Sequence, residues 1–254
     1  MTVDYLIEDA IRQSLTFFQE ITIKSVVDST NQIAKESLQQ EQSTPSVIIA
    51  DQQTAGYGRL TRTFYSPSET GIYMSIALPM TLDEETTLLT PMSAVAVNRA
   101  IKKVCQIDTQ IKWVNDLYYQ GKKVVGILAE SIINRGVVIG IGINFKADSQ
   151  LQRTVQKAGA LLPDDSLVTR NQLINQILIE FERLLPIYQQ KQFMDEYRQH
   201  SLLLNKNVIL RLNEQTTIEG RVAGISDKGE LILLKANQQL QRFNAGEIER
   251  VLAW

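Results

Sequence analysis

The alternation of hydrophobic and polar positions divides the chain into two parts. Up to about residue 204, apolar runs such as 46–51 and 71–79 have the continuous hydrophobicity of strands that are buried on both faces. They alternate with stretches of helical period at 90–104 and 166–200. After residue 204 the period changes to two, in short segments separated by tight turns. We therefore predict an α+β fold with a mixed, helix-covered sheet over residues 1–204, and a small β-barrel over 205–254.

The same pattern predicts individual elements. A helix is expected over 6–20, a strand over 21–27, and a second helix that ends near residue 41. Pro186 should divide the helical stretch at 166–200 into two helices. Two long apolar segments flank a turn at 134–136 and should pair as a hairpin.

Charge and composition limit the chemistry that this chain can perform. Its 254 residues carry 26 Lys and Arg against 28 Asp and Glu, so the excess of cations that typifies nucleic-acid binding is absent. Cys105 and His200 are the only residues of their types, which argues against a disulfide, a Ser-His-Asp triad and a zinc site. No basic-then-apolar leader and no membrane-length apolar run is present, so a cytoplasmic protein without membrane contact is expected.

Two polar segments lie close to the first predicted strands. In the segment DSTN at 28–31, Ser29 and Gln32 are expected to form a capping box, while the run of small polar side chains could bind a polar ring. The segment 51–62 contains Gly56 and Gly58, which would let the backbone approach a ligand, and arginines suited to a phosphate or a carboxylate. It lacks the third glycine of a dinucleotide fingerprint and the Gly-Lys-Ser/Thr of a P-loop.

Two further segments lie near the middle of the chain. In IKWVNDLYYQGKKVVGILAE, residues 111–130, the lysines could neutralise phosphate, and Asp116 could hold Mg²⁺ or position a lysine. We expect 113–116 to form a packed turn and 118–122 to be an exposed one. The segment GIGIN, 140–144, places two glycines in a strand, where glycine often marks the close approach of a ligand or of another backbone.

Taken in this order, the motifs resemble the catalytic domain of biotin–protein ligases. The matching segments are DSTN, QTAGYGRLTRTFYSP, KWVND, GKKVVGILAE and GIGIN, within about 21–144, and the C-terminal part resembles the small terminal domain of that family. The resemblance implies a class II aminoacyl-tRNA synthetase-like catalytic domain and an SH3-like barrel. It also implies a reaction in which ATP, with Mg²⁺, activates biotin as biotinyl-5′-AMP. The biotin then passes to a lysine of the biotin carboxyl carrier domain of a carboxylase.

The resemblance assigns roles to individual residues. The expected biotin contacts are Ser29, Thr30, Asn31, Gln53, Gly56, Tyr57, Gly58, Arg59, Lys123 and Gly126. The expected nucleotide contacts are Arg62, Phe64, Lys112, Asn115 and Asn144. The expected catalytic residues are Arg59, Lys123, Asp116 and Lys112, with Asp116 as the Mg²⁺ ligand.

The chain departs from the family pattern at several positions of the site. Tyr57 stands where an arginine is usual, Thr61 where a glycine is usual, Phe64 where tryptophan is more common, and Val114 where proline is common. Phenylalanine can still stack on adenine. With Tyr57 in place of an arginine, the loop has one positive charge fewer. This departure concerns how tightly the protein retains its adenylate and not whether it forms one.

Two other functions remain open at this point, a lipoate–protein ligase and a non-catalytic sensor of biotin or nucleotide. Gln53 and the DSTN segment favour biotin, because lipoate lacks the ureido ring, and the retained Arg59, Asp116 and Lys123 argue against a sensor. About twenty residues precede the first strand, too few for a winged helix-turn-helix, so a ligase without DNA binding is expected. The strand near 137–145 could pair across a homodimer.

Overall fold

The first part of the protein is built on a seven-stranded mixed sheet. The computed structural model describes residues 4–147, 151 and 158–252. The strands are β1 (Glu20–Val27), β2 (Ser46–Gln53), β3 (Gly71–Pro79), β4 (Gln110–Lys112), β5 (Asp116–Tyr119), β6 (Lys122–Ile132) and β7 (Gly136–Asn144). Their spatial order is β1-β2-β3-β7-β6-β5-β4, and β1 and β2 are parallel whereas the other neighbours are antiparallel. The predicted mixed sheet and the β6–β7 hairpin are confirmed.

The position of β7 corrects one expectation. This strand lies between β3 and β6 and forms hydrogen-bonded ladders with both. Pairing of β7 across a dimer is therefore wrong, because neither of its edges is open. The apolar pattern could not show this, since central strands and edge strands both carry long hydrophobic runs.

Five helices accompany the sheet in the described part of the chain. They are α1 (Glu8–Arg12), α2 (Thr30–Leu38), α3 (Leu89–Cys105), α4 (Arg170–Leu184) and α5 (Phe193–Gln199), and α4 and α5 are separated by a 3₁₀ turn at Leu185–Gln190. The predicted break at Pro186 is confirmed. The prediction of a helix over 6–20 is wrong beyond Arg12: Ser14 has a φ of 63°, and the Glu182 carboxylate of α4 accepts the next free N–H groups. This tertiary contact replaces the helical hydrogen bonds.

Helices cover both faces of the sheet. On one face, Ala34 and Leu38 of α2 pack against Ile48, Ala77 and Val138. Helices α3 and α4 pack with each other and close the larger core on the opposite face. Because both faces are covered, the central strands are apolar at nearly every position. No helix in the described ranges has both the length and the apolar composition needed to cross a bilayer.

The C-terminal part forms a second, antiparallel sheet. Its strands are β8 (Asn207–Arg211), β9 (Thr217–Ile225), β10 (Leu231–Leu234), β11 (Leu240–Phe243) and β12 (Glu247–Val251), in the order β11-β10-β9-β8-β12. No ladder joins β11 to β12 within the described residues, so this sheet is not closed and the predicted small β-barrel is wrong. A period of two predicts a sheet with one buried face, but it does not determine whether the two edge strands meet.

Candidate functional site

A cavity of about 360 Å³ lies between the α2 face of the sheet, the loop 54–66 and strand β12. We call residues 54–66 the glycine loop. The cavity is lined by every residue that the sequence analysis assigned to biotin, to nucleotide or to catalysis, with the exception of Gly56. Gly56 lies behind the lining, where a Cβ would come within 2.7 Å of Gln53 Nε2 and 2.8 Å of Ser66 Oγ. The structure thus brings together four segments that are distant in sequence.

The floor of the cavity is made by small residues of the central strands. On the α2 face, the apolar pair Ala77 and Val138 is followed two positions along the strands by Ser75 and Gly140. A Cβ on Gly140 would lie 2.1 Å from Asn31 Oδ1, and one on Gly142 would lie 2.6 Å from the Phe64 ring. Side chains of the site itself, Asn31 and Phe64, therefore lie against these two glycines. From the sequence we expected a ligand or another backbone there.

The start of α2 forms the polar end of the cavity. Ser29, Thr30 and Asn31 are all buried, and both the N–H and the hydroxyl of Thr30 donate to Gln53 Oε1, at 2.9 and 3.1 Å. The predicted capping box is wrong, because the Ser29 side chain makes no capping hydrogen bond and Gln32 donates to Glu36 instead. Ser29 lines the cavity in place of capping the helix.

A buried hydrogen-bond network orients the Asn31 amide. Its Oδ1 accepts from Ser75 Oγ at 2.6 Å, and its Nδ2 donates to Glu130 Oε2 at 2.7 Å. A side-chain amide has two donor hydrogens and an oxygen with two lone pairs. Each end of Asn31 therefore keeps one position for a ligand, and the amide cannot flip without breaking both bonds.

Lys35, Tyr57 and Glu130 form a closed triangle beside Asn31. Lys35 Nζ donates to Glu130 Oε1 at 2.6 Å and to the Tyr57 hydroxyl at 2.9 Å, and that hydroxyl donates to Glu130 Oε2 at 3.0 Å. Burial opposes ionisation of Glu130, but its hydrogen bonds from Lys35, Asn31 and Tyr57 outweigh burial and lower its pKa. Burial likewise opposes the charge of Lys35, whose pKa is nevertheless raised by its bonds to Glu130 and Tyr57. Both groups are charged at neutral pH.

Three residues of this network, Lys35, Ser75 and Glu130, were not predicted from the sequence. Lys35 follows Asn31 by four positions on α2, a spacing that places both on one helix face and that gave a usable signal. Glu130 is a charged residue within the apolar strand β6 and was the second signal. Their meeting depends on long-range packing.

The opposite wall of the cavity carries lysines. Lys123 Nζ lies 2.6 Å from Asp116 Oδ1 in a half-buried ion pair. A Cβ on Gly126 would lie 3.2 Å from Lys123 Cε and Nζ, so this glycine leaves room for the lysine to lie along β6. Lys112 Nζ donates to the Ile248 carbonyl at 3.1 Å and lies 5.6 Å from the centre of the Tyr118 ring. Asn144 Nδ2 donates at 3.5 Å to the Lys123 carbonyl.

The prediction of an exposed turn at 118–122 is wrong for Tyr118. Its side chain is buried on β5, where it lines the cavity, and burial, followed by the nearby Asp116 and Glu247 carboxylates, raises its pKa to about 12. Only the tip of the hairpin is exposed. The expected packed turn at 113–116 is confirmed: Trp113 is buried and its indole N–H donates to the Gly229 carbonyl at 2.8 Å.

Strand β12 of the C-terminal sheet completes the cavity. Glu247, Ile248 and Glu249 line it. Arg62 Nη2 donates to Glu247 Oε2 at 2.8 Å, and this hydrogen bond lowers the Glu247 pKa. Arg59 donates to the Gly246 carbonyl at 3.0 Å and to Asn115 Oδ1 at 3.4 Å. The period-two pattern of the C-terminal part gave no signal for these contacts.

The acidic residues of the site do not form a metal cluster. Within the described residues, no group of three or more His, Cys, Asp and Glu side chains could together hold a metal ion. The carboxylates that line the cavity are Asp116, Glu247 and Glu249, and the first two are paired with Lys123 and Arg62. The arrangement is one of cations and amide groups facing a partly polar cavity, which suits the binding of anions.

Comparisons with known proteins identify the family to which the chain is similar. Residues 23–144 match the model of the biotin/lipoate A/B protein ligase family, and residues 203–251 match the biotin protein ligase C terminal domain. The chain is 32% identical over 243 residues to the bifunctional ligase/repressor BirA of Bacillus spizizenii, which covers 91% of this chain and 74% of that relative. It is 27% identical to the biotin–[acetyl-CoA-carboxylase] ligase of Mycobacterium tuberculosis, over 74% of this chain and 72% of that one.

A solved structure shows the same fold. The biotin protein ligase of Aquifex aeolicus in complex with biotin and ATP superimposes with a TM-score of 0.74. The two chains are 25% identical, and the match covers 91% of this chain and 98% of that one.

Proposed function

The chain belongs to the biotin/lipoate A/B protein ligase family and is an ATP-dependent biotin ligase, and we propose that the cavity under the glycine loop is its active site. In the first step, a biotin carboxylate oxygen attacks the α-phosphorus of ATP, and pyrophosphate leaves. In the second step, the amine of an acceptor lysine attacks the carbonyl carbon of biotinyl-5′-AMP, and AMP leaves. The acceptor that fits this chemistry is the biotin carboxyl carrier domain of a carboxylase.

One observation carries the assignment of the site, namely that a single cavity has a polar end and a cationic wall. The buried side chains of Ser29, Thr30 and Asn31 suit the donors and acceptors of the biotin ureido ring. Lys112 and Lys123 lie on the other wall, where the carboxylate and the phosphates would meet. The volume is in the range of small-molecule sites.

Cations at this wall would act by bringing two anions together. Lys123 would lie between the biotin carboxylate and the α-phosphate, and Arg59 would hold the carboxylate and later the adenylate phosphate. Fixed charges in a site from which water is excluded stabilise developing charge without reorganising. Asn115 supports this role of Arg59, because it accepts from Arg59 while donating at 2.7 Å to the Ile127 carbonyl.

The residues also fit Mg²⁺. This ion is usually held by one or two carboxylates together with substrate phosphates, and Asp116 faces the cavity beside Lys123. Asp116 would hold the ion, which would supply charge neutralisation of the phosphates. Arg62, Phe64 and Asn144 would complete the nucleotide side of the cavity.

We further propose a class II aminoacyl-tRNA synthetase-like architecture for the larger domain and a domain boundary near Asn205. The antiparallel centre of the sheet supports the first proposal. The second is supported by the start of the separate C-terminal sheet at Asn207, two residues after Asn205, which itself has a φ of 64°.

Exchange of pyrophosphate into ATP tests the proposed function. We expect exchange that depends on biotin and that is much weaker with lipoate, because Asn31 and Gln53 would lose ureido partners. The assay measures labelled ATP formed from labelled pyrophosphate, with biotin and lipoate in parallel reactions. Faster exchange with lipoate would identify a lipoate ligase, and the absence of exchange from the folded protein with both acids would identify a sensor.

Replacement of Arg59 by glycine should uncouple the two steps. Without the guanidinium, the adenylate should still form but should leave the cavity and label lysines of bystander proteins. The measurement is biotin incorporation into serum albumin added to the reaction. Arg242→Gly, which changes an exposed arginine of β11, is the matched control. A variant that forms adenylate and still ignores albumin would refute this role of Arg59.

A further inference from the structure

The glycine loop is a small hairpin whose two ends are held by different parts of the protein. Gly58 N–H donates to the Arg62 carbonyl and Phe64 N–H to the Gly56 carbonyl, both at 2.8 Å, so the two limbs run antiparallel. Tyr57 and Thr63 face each other in an isolated bridge between these bonds. The tip, at Arg59–Thr61, carries the arginine that we place on the adenylate.

The tip is attached to the C-terminal sheet through side chains that the substrate needs. Arg59 donates to the Gly246 carbonyl, and Arg62 is paired with Glu247. An arginine that turns to a phosphate or a carboxylate gives up part of such contacts, because a guanidinium presents a fixed set of donors. Binding of a ligand by Arg59 would therefore weaken the attachment of the tip to the C-terminal sheet, at the stage when the loop has to remain closed.

The other attachment does not use the arginines of the loop. Tyr57, next to the base of the hairpin, contacts Lys35 on α2 and Glu130 on β6 through its hydroxyl. Hydrogen bonds to charged groups are stronger than neutral ones, and Lys35 and Glu130 are both largely shielded, at 21% and 25% side-chain exposure. Glu130 also holds Asn31, so the same carboxylate contacts the loop and the polar end of the cavity.

We propose that the Lys35–Tyr57–Glu130 triangle is a latch that holds the base of the glycine loop closed and so retains the adenylate. It positions Arg59 through the hairpin and touches no reacting atom. The proposal deepens the function proposed above and rests on it. Where an arginine is usual in the family, Tyr57 has no positive charge, and its hydroxyl lies between the Lys35 ammonium and the Glu130 carboxylate.

The test compares variants that remove single members of the latch. Tyr57→Phe removes the hydroxyl and keeps the ring, and Lys35→Met removes the charge and keeps most of the chain. Tyr5→Phe, at an exposed tyrosine, is the matched control. We expect Tyr57→Phe and Lys35→Met each to release biotinyl-AMP from the preformed complex about tenfold faster than the wild type, a loss typical of one hydrogen bond to a charged group.

The kcat of exchange, a double variant and a conservative variant distinguish the latch from a general loss of structure. Lys35→Met, which changes no residue of the cavity lining, should leave the kcat of biotin-dependent pyrophosphate exchange within about threefold of the wild type. The double variant should release adenylate about as fast as the faster single variant, since both break one device. Lys35→Arg, which keeps charge and donors, should restore slow release. Release within twofold of the wild type in both single variants, or fully multiplicative effects, would overturn the proposal.

A second measurement does not need the reaction. Trypsin cuts after arginine, and Arg59 lies at the tip of the loop with Arg62 directly after it, so the initial cleavage rate there reports opening of the hairpin in the ligand-free protein. We expect cleavage about tenfold faster in Tyr57→Phe than in Tyr5→Phe at equal melting temperature. If the wild type makes no adenylate, the proposed function fails, while unchanged cleavage at the tip would refute the latch by itself.

Discussion

Replacing Lys123 by methionine is expected to lower the rate of biotinyl-AMP formation by about 10³-fold, which corresponds to about 4 kcal/mol of lost transition-state stabilisation. The reason is the position of the ammonium group, in the cavity that Asn31 also lines and 2.6 Å from Asp116. In our proposal it lies between two anions that must come together. Methionine keeps most of the length of the side chain but brings no charge to the two anions, and it leaves Asp116 without its lysine partner.

The neighbouring residue supplies the control. Lys122 is exposed at the start of β6 and does not line the cavity, so Lys122→Met should stay within about twofold of the wild type. The rates are measured as single-turnover adenylate formation at saturating biotin and ATP. A Lys123→Met variant that retains more than a tenth of the wild-type rate would show that the charge is supplied by another residue, such as Lys112.

The parts of the site that sequence could predict are those contained in continuous motifs. KWVND and GKKVVGILAE predicted that Lys112, Asn115, Asp116 and Lys123 belong together, and the structure places all four on the cavity. The four residues lie within twelve positions, on the successively paired strands β4, β5 and β6 and the turn before β5, so local pairing alone brings them close. Their chemical roles remain proposals.

The parts that sequence could not predict depend on contacts between distant segments. Glu130 meets Lys35 across 95 positions, and Arg62 meets Glu247 across 185 positions. Neither hydrophobic period nor propensity contains information on such pairs. The capping box failed for a related reason, since Ser29 and Gln32 fit a local rule while the tertiary structure places Ser29 on the cavity.

The element pattern was most informative where packing and propensity agree. The long apolar strands and the helix Leu89–Cys105 follow their predicted ranges, because burial on two faces or on one stripe imposes a clear period. The shortened α1 and the open C-terminal sheet differ from prediction because each depends on which surface the segment meets. Whether β11 pairs with β12, and whether Glu182 contacts the segment after α1, depend on the tertiary structure and not on the local sequence.

The second large effect that we expect concerns stability and a residue outside the cavity. Arg170, the first residue of α4, is only 2% exposed. Its Nη1 donates to Asp51 Oδ1 at 2.6 Å and to the Gly71 carbonyl at 3.3 Å, and its Nη2 donates to the Asp4 carbonyl at 2.5 Å. One buried guanidinium thus joins the N-terminal segment, β2 and the start of β3.

Arg170→Met is expected to lower the free energy of unfolding by about 3–5 kcal/mol, the range found when one partner of a buried ion pair is removed. Methionine fills part of the volume, but the Asp51 carboxylate loses its charge partner and the Gly71 carbonyl loses a donor. Urea denaturation followed by circular dichroism measures the change. Arg12→Met is the matched control: Arg12 pairs with Glu8 at the surface, so its loss should cost at most about 1 kcal/mol. Because Asp51 keeps 28% of its side-chain surface exposed, a loss below 1 kcal/mol for Arg170→Met would show that water replaces the arginine there.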